Sequence, residues 1–237
     1  MKKFSFLFIW LCVASLIFAE KMELSIRYLG LPVVKVLITD LDSRITVQAD
    51  ATRIASIAAS MNNDYISLYS ENYLPQIYRK IIDQKDYQED RLINYDRSKL
   101  LAHRISYLDS DKNLDYAIKP ESRDFFSSLF YLRKACDQKK GELWLDANGL
   151  IWKANYKIIG NEIINTEIGK MEAIKVELTF EKISEQETKN TDMLTNNLVN
   201  EDRSLLFWFS ADERRIPLKA KFVMKPFPVT WKLEKYE

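Results

Sequence analysis

The sequence predicts a mainly β protein, built as a single curved antiparallel sheet or as an open or closed β-barrel, with one packed α-helix at about residues 123–135. Apolar and polar residues alternate through most of the chain, as in strands that bury one face. Turns that contain glycine, proline or asparagine separate these alternating segments. The spacing of an amphipathic helix is convincing only in residues 123–135.

The first nineteen residues have the layout of a secretory signal peptide. Lys2 and Lys3 precede an uncharged apolar run at residues 4–18, and the small residue Ala19 follows it. The run is shorter than the ~20 residues that a membrane-spanning helix needs, so an uncleaved anchor is the less favoured alternative. We expect cleavage after Ala19, no stable membrane span afterwards, and export to the periplasm or cell envelope of a bacterium.

Residues 20–237 are predicted to form a single β domain, because no linker, repeat or low-complexity tract divides them. After residue 19, Cys136 is the one cysteine in the sequence, so no intramolecular disulfide is expected. Removal of Lys2 and Lys3 lowers the 35 basic side chains to 33 against 34 acidic ones, a net charge of −1. This balance argues against a nucleic-acid-binding protein, which normally carries a basic face.

Strands and turns follow each other closely in the first half of the domain. Leu24, Ile26 and Tyr28 alternate with polar neighbours before a break at residues 30–32. Further strands are predicted at residues 34–38, 44–48, 65–69, 87–96 and 101–108. Residues 51–60 fit a helical turn as well as a strand, and residues 109–119 are predicted to form a polar loop.

The predicted helix at residues 123–135 carries its apolar side chains on one side. Ser122 is the predicted N-cap, and Asp124 places negative charge in the first turn. The favoured interpretation of the apolar stripe is packing into the core, and the alternative is binding of an apolar ligand. The candidate ligand-binding residues are Phe125, Phe126, Leu129 and Phe130 of the stripe and Trp208 of a later strand.

The second half of the domain shows the most regular alternation. The pair Asn148-Gly149 predicts a hairpin turn between strands at residues 142–146 and 151–159, because these residue types tolerate positive φ. The remaining strands are predicted at residues 162–168, 172–180, 205–209, 217–224 and 229–236. Residues 184–202 are polar and lack hydrophobic periodicity, which predicts a mobile surface loop.

No residue pattern identifies a reaction. His103 is the single histidine, so one cysteine and one histidine cannot complete a closed zinc site, and no nucleophile is apparent beside it. The sequence contains neither of the common phosphate-binding glycine motifs. The 34 acids leave a carboxylate pair open, but no spacing singles one out. We therefore predict that the protein is not an enzyme and has no catalytic residue, no bound metal and no cofactor.

Residues 207–217 form the most distinctive segment of the chain. They combine an aromatic strand, a charged turn and a proline that begins the next strand. An Asp–Arg pair is predicted to stabilise the turn, since a bidentate arginine–carboxylate contact is geometrically specific. The residues assigned to this structural role are Asp212, Arg214, Arg215 and Pro217, with ligand binding as the alternative role.

Several segments, taken in order, resemble the DUF3108 family of exported bacterial proteins of unknown function. They are SIRYLGLP at residues 25–32, LPQIY at 74–78, SLFYLR at 128–133, Gly169-Lys170 with the following strand, and residues 208–217. The resemblance implies export and a curved antiparallel β architecture, and it implies no activity. The chain departs from the family pattern at residues 225–228, where Lys-Pro-Phe-Pro replaces a glycine-containing turn.

Two functions from different classes follow as hypotheses. The first is a non-catalytic envelope protein whose curved sheet binds a lipid or another apolar or amphipathic ligand. The architecture is loosely similar to the half-barrels of LolA-like and LppX-type lipid carriers, in which acyl chains fill the space between sheet and helix. The alternative is a structural or assembly factor that docks on an envelope protein through residues 184–202 or a strand edge. A hydrolase is a third reading and would require two acids that converge in a cleft.

Overall fold

The structure of the protein, a computed structural model, describes residues 19–57, 59–147, 149–186, 192–222 and 227–237. All of the predicted signal peptide except Ala19 lies outside these residues, as do Asn148 of the predicted hairpin turn and residues 225–226 of the Lys-Pro-Phe-Pro segment. Within the described part of the chain, no helix has the length and apolar character that crossing a membrane requires.

In the described residues, fourteen antiparallel strands form one continuous sheet. The strands are β1 (Glu20–Tyr28), β2 (Leu31–Leu41), β3 (Arg44–Ala51), β4 (Met61–Tyr69), β5 (Pro75–Gln84), β6 (Tyr87–Asp96), β7 (Leu101–Ser106), β8 (Leu114–Ala117), β9 (Lys140–Ala147), β10 (Leu150–Thr166), β11 (Gly169–Lys182), β12 (Leu205–Ser210), β13 (Pro217–Phe222) and β14 (Val229–Tyr236). Sequential strands pair from β1 to β8 and from β9 to β14, and the pairing of β1 with β14 joins the two halves. The strand order therefore ends at β8 and β9.

The sheet is rolled, so that side chains of its edge strands, β8 and β9, touch along a seam where the two strands are not paired. Asp146 on β9 accepts hydrogen bonds from the hydroxyl groups of Tyr95 on β6, at 3.0 Å, and Tyr116 on β8, at 2.5 Å. The chain after β8 also lies along β9, because the Arg123 N–H donates to the Trp144 carbonyl at 2.9 Å. The structure confirms the predicted mainly β fold with a single antiparallel sheet, in the form of an open barrel.

The sequence pattern misses two of these strands. In β5, Lys80 and Gln84 occupy buried positions on the same face as Tyr78 and Ile82, so polar side chains interrupt the expected hydrophobic alternation. Strand β8 lies inside the predicted loop at residues 109–119 and has only four residues, too few for a periodic signal.

Strand β10 is continuous where the sequence predicts two strands divided at Gly160. Its pairing with β11 shifts register between Ile158 and Gly160, which is the arrangement of a β-bulge. The glycine therefore marks an irregularity within one long strand. The hairpin between β9 and β10 is present, and Gly149 adopts a φ of 75° in its turn.

The predicted helix is α1 (Phe125–Ala135), and its predicted N-cap is wrong. Asp124 is the N-cap, and its side chain accepts hydrogen bonds from the backbone N–H groups of Phe126 and Ser127 at 2.9 and 3.0 Å. Ser122 instead accepts a hydrogen bond from the Lys119 N–H. The helix begins later than predicted because Arg123, the residue before the N-cap, pairs with β9.

The prediction of a surface loop at residues 184–202 is also wrong in its central part. A second helix, α2 (Met193–Leu198), lies there, with Asp192 as its N-cap. Leu194, Leu198 and Val199 are buried against the sheet. The segment offers only one short apolar face among polar residues, so its sequence lacks the repeated signal by which longer helices are recognised.

The two helices occupy different ends of the barrel. We call the end at which β1 turns into β2 and β3 into β4 the upper end, and the opposite end the lower end. Helix α1 crosses the lower end, where Phe130 packs on Tyr73 and Arg133 binds Glu20, the first residue of β1. Helix α2 belongs to the long connection between β11 and β12, whose paired ends lie at the upper end.

Candidate functional site

An apolar cavity of about 380 Å³ lies between α2 and the inner face of the sheet. We call it the upper cavity, because it reaches the β3–β4 loop at the upper end. Thirteen residues line it and none has a charged side chain. They are Ile26, Tyr28, Val33, Val34, Ala51, Ala55, Ala59, Met61, Leu194, Leu198, Phe222, Val229 and Trp231.

Strand alternation places these side chains on one face. Ile26 pairs with Val34 on one side and with Trp231 on the other, and Val34 pairs with Ala51, so β14, β1, β2 and β3 present a continuous apolar wall. Ala51 on the wall has a small side chain, and Ala55 in the β3–β4 loop is small as well. Leu194 and Leu198 of α2 complete the described lining.

A buried ion pair holds α2 in the barrel. The Lys80 ammonium on β5 lies 2.5 Å from the carboxylate of Asp192, and both side chains are buried. Asp192 also accepts a hydrogen bond from the Tyr65 hydroxyl at 2.7 Å and caps α2 through the N–H groups of Leu194 and Thr195. Burial acts to raise the pKa of Asp192, but the Lys80 charge and the hydrogen bonds outweigh it and lower this pKa to about 2.

A second pair of charges continues this cluster along the inner face. Glu89 on β6 lies 3.5 Å from Lys80 and 3.2 Å from Arg91, and all three side chains are buried. With Asp192, the cluster holds two positive and two negative groups. Acids do converge here, but each of them is paired with a cation. The lining of the upper cavity includes none of these residues.

Two further buried carboxylates fasten α1 and the seam of the sheet. Burial raises the pKa of Asp124 and of Asp146, although hydrogen bonds to each carboxyl act in the opposite direction. Asp124 accepts from the Ser67 hydroxyl on β4 at 2.7 Å, in addition to capping α1. Asp146 accepts hydrogen bonds from the hydroxyl groups of Tyr95 and Tyr116 across the seam. Both acids therefore have a structural role that their positions explain.

The predicted ligand-binding residues of α1 are buried in the core and do not line the upper cavity. These residues are Phe125, Phe126, Leu129 and Phe130. The Phe126 ring packs 5.0 Å from the Tyr65 ring, measured between centroids. The apolar stripe of α1 thus closes the lower part of the interior.

Trp208 lies on the outer face of the sheet. Its neighbours Phe207 and Phe209 stack on each other at 5.6 Å on the opposite face of β12. The Trp208 ring is covered by the side chains of Lys219 and Lys175, whose Nζ atoms lie 4.4 and 5.1 Å from the ring centroid. Its indole N–H donates to Glu162. Trp208 therefore has no access to the upper cavity.

The charged turn lies at the lower end. Arg214 donates two hydrogen bonds to the same carboxylate oxygen of Asp212, at 2.9 and 2.6 Å. Arg215 donates to the Ala211 and Asp212 carbonyls, and Pro217 begins β13. A polar cavity of about 470 Å³ lies between this turn and α1. Its arginines already bind acidic side chains, so they are less available to a ligand.

Other reactive residues are dispersed. His103 is partly exposed on β7 and lies 2.9 Å from the carboxylate of Asp115. Cys136 is buried as a free thiol, and burial raises its pKa to about 12, which keeps it protonated. Among the described residues, no group of three or more histidine, cysteine, aspartate or glutamate side chains is arranged to hold a metal ion.

The match to a family model decides how the chain is classified. A model described as "Protein of unknown function (DUF3108)" matches residues 25–226. The chain belongs to the DUF3108 family. The family resemblance seen in the sequence is thereby confirmed, and the family description specifies no activity. Comparison with curated proteins finds no match.

A solved structure supports the fold of this DUF3108 protein. A β-barrel-like protein of the DUF1849 family from Brucella abortus is similar over 94% of this chain and 98% of its own, with a TM-score of 0.56 and 8% sequence identity. A DUF1329 protein from Desulfovibrio piger aligns over 94% and 86% of the two chains, with a TM-score of 0.25 and 10% identity. At such low identity, the first likeness shows a shared barrel-like fold alone.

Sequence reasoning did not find the upper cavity. The strand faces that form its wall follow from alternation, but a packed core and a cavity wall have the same periodicity. One local signal exists. Ala51, Ala55 and Ala59 recur in residues 51–60, the segment whose sequence fits a helical turn as well as a strand. All three alanines line the cavity.

Proposed function

We propose that this protein is an exported bacterial envelope protein that binds an apolar ligand, such as a lipid acyl chain, in the upper cavity. The supporting observation is a cavity of about 380 Å³ whose lining, among the described residues, contains no charged side chain. Small-molecule sites in proteins typically measure roughly 300–1,000 Å³. Water gains little from such a lining, because a water molecule needs two or more polar partners.

The chemistry of the lining favours binding over conversion. A ligand in the cavity would contact alkyl groups and aromatic rings. The polar side-chain atoms of the thirteen described lining residues are the Tyr28 hydroxyl, the Met61 sulfur and the Trp231 N–H. The charged cluster around Lys80 and Asp192 is occupied in fixing α2. We therefore propose that the protein holds or carries the ligand and does not convert it chemically.

The alternative of docking through residues 184–202 receives less support. Leu194, Leu198 and Val199, the apolar residues of that segment with described burial, face the interior. They cannot contact a partner unless α2 leaves the barrel.

A titration with fatty acids of increasing chain length tests the proposal. Each buried methylene contributes about 0.8 kcal/mol, so the affinity of the purified protein should rise roughly fourfold per methylene. The rise should stop when the chain fills the cavity. Isothermal titration calorimetry measures both the slope and the limit. Affinity that is immeasurable at every length would overturn the proposal.

Tryptophan quenching locates the bound chain. A brominated fatty acid should quench the emission of Trp231, which lines the cavity, and the quenching should be lost in Trp231→Phe. Trp208→Phe is the matched control, because Trp208 lies on the outer face. Equal quenching in both variants would place the ligand elsewhere.

A cavity-filling substitution supplies an independent test. Ala51→Phe adds a ring into the cavity from β3 and should abolish binding of the longer chains. Gln48→Phe adds the same ring to the exposed outer face of the same strand and should leave binding unchanged. Binding that survives Ala51→Phe would contradict the assignment.

A further inference from the structure

Five of the fourteen exposed large apolar side chains of the described residues lie on or beside three neighbouring connections at the upper end. Ile54 and Ile57 in the β3–β4 loop are 81% and 86% exposed, the highest values among the exposed large apolar side chains of the described residues. Leu29 and Leu31 flank the turn between β1 and β2, and Phe227 precedes β14. We call these five residues the upper rim. Single exposed apolar residues are ordinary, but a group of five in adjacent connections is not.

Direct contacts hold the three connections together. Thr52, two residues before Ile54, donates through its hydroxyl to the Pro32 carbonyl at 3.1 Å and through its N–H to the Val33 carbonyl at 2.9 Å. On the other side, the Phe227 ring lies 6.3 Å from the Tyr28 ring in an edge-to-face arrangement. The three connections therefore lie side by side at the upper end.

The upper rim borders the opening of the upper cavity. Tyr28 and Val33 line the cavity on either side of the β1–β2 turn, and Ala55 lines it between Ile54 and Ile57. An apolar surface thus continues from the outside of the molecule into the cavity. A ligand that entered from hydrocarbon would not have to cross water.

The charge of the rim indicates what it contacts. Among the described residues of the three connections, Arg53 carries the single charge. The core of a protein interface typically contains aromatic or arginine anchors. Four of the five upper-rim side chains are aliphatic and the fifth is Phe227, so aliphatic groups dominate the rim, which suits insertion among lipid chains.

We propose that the upper rim inserts into the surface of a lipid bilayer and places the opening of the upper cavity against the acyl chains. This inference rests on the proposed function for its purpose, the exchange of an apolar ligand with a membrane. Attachment depends on burial of apolar side chains, so anionic lipids are not required.

Flotation with neutral phosphatidylcholine vesicles tests the inference on the purified protein. The parent protein should float with the vesicles. Flotation should be equal at about 0.1 and about 0.5 M salt, because salt screens attraction between charges and the proposed attachment is apolar. The double variant Ile54→Asp/Ile57→Asp should bind at least ~10-fold more weakly, since each buried isoleucine contributes roughly tenfold or more. Leu41→Asp/Ile163→Asp is the control, because these exposed residues lie toward the lower end, and it should bind like the parent.

Three results would overturn the inference. They are failure of the parent to float, equal loss in the control variant, and attachment that requires anionic lipid and disappears in high salt. A rim variant that still floats but loses a cross-link to an envelope protein would assign the rim to a protein partner instead.

The same variants separate this inference from the proposed function. Fatty-acid titration without vesicles should give the parent affinity in the rim variant, because the substituted side chains lie outside the cavity lining. Flotation together with a blank titration would refute ligand binding and leave membrane attachment standing. Fatty-acid binding in the titration without flotation of the parent would refute membrane attachment and leave ligand binding standing.

Discussion

The buried ion pair between Lys80 and Asp192 makes the stability of the barrel sensitive to a substitution of Asp192. Asp192→Asn removes the charge and keeps a residue that is a good N-cap for α2. The acidic side chain that then remains paired with the buried cations Lys80 and Arg91, among the described residues, is Glu89. Removal of one member of a buried pair typically costs about 3–5 kcal/mol.

The pKa of Asp192 gives a second estimate of this cost. Its fall from 3.8 to about 2 corresponds to roughly 2 kcal/mol, at 1.36 kcal/mol per unit. We therefore expect Asp192→Asn to lower the free energy of unfolding by about 2–4 kcal/mol at pH 7. Urea denaturation followed by tryptophan emission measures this difference.

The same shift predicts how stability changes with pH. Because the folded-state pKa is lowered, the contribution of Asp192 is complete above the unfolded-state value of 3.8 and is lost as the pH falls toward 2. The acid limb of the stability curve should therefore be shallower in Asp192→Asn.

Two further variants test the reasoning. Lys80→Met/Asp192→Asn leaves Glu89 and Arg91 as a balanced pair and should recover most of the lost stability. Asp212→Asn breaks the exposed pair at the lower end and should cost no more than about 1 kcal/mol. A loss below about 1 kcal/mol in Asp192→Asn, or a double variant no more stable than the single one, would refute the account.

Two other predictions concern Arg133 at the lower end and Gly141 on β9, which faces Tyr156, the residue that binds the last carbonyl of α1. Arg133→Ala removes two hydrogen bonds to Glu20, at 2.8 and 2.6 Å, and should cost about 2–4 kcal/mol in urea denaturation. Its exposed neighbour, changed as Lys134→Ala, should stay within about 1 kcal/mol of the parent, and equal losses would contradict the prediction. Gly141→Ala would place a Cβ atom 2.5 Å from the Tyr156 hydroxyl oxygen, so thermal unfolding should show a loss of about 1–3 kcal/mol. An unchanged melting temperature would mean that the ring moves aside freely.

The strands that carry the wall of the upper cavity could be read from the sequence. In β1, Leu24 and Ile26 alternate with Ser25 and Arg27, and the buried faces follow this alternation. The same reasoning fails in β5, because Lys80 takes a position that the pattern reserves for an apolar side chain. Its burial depends on Asp192, which lies far away in the sequence.

The candidate site shows the same division. The apolar stripe of α1 is evident in the sequence, but whether it lines a cavity or fills the core depends on the volume available around it. Trp208 is equally conspicuous, and the sheet turns it outward. The rim residues Ile54 and Ile57 are apolar residues in a loop, and their exposure appears only when β3 and β4 are paired.

The sequence by itself determined most of the strands, the principal helix and the family, because alternation, turn residues and capping act between neighbours in the chain. The tertiary structure alone decided that α2 enters the barrel and that an apolar space remains between this helix and the sheet. These features depend on how distant side chains share volume and charge. Local periodicity contains no information about that sharing, since a filled core and an open cavity are lined by the same kinds of residue.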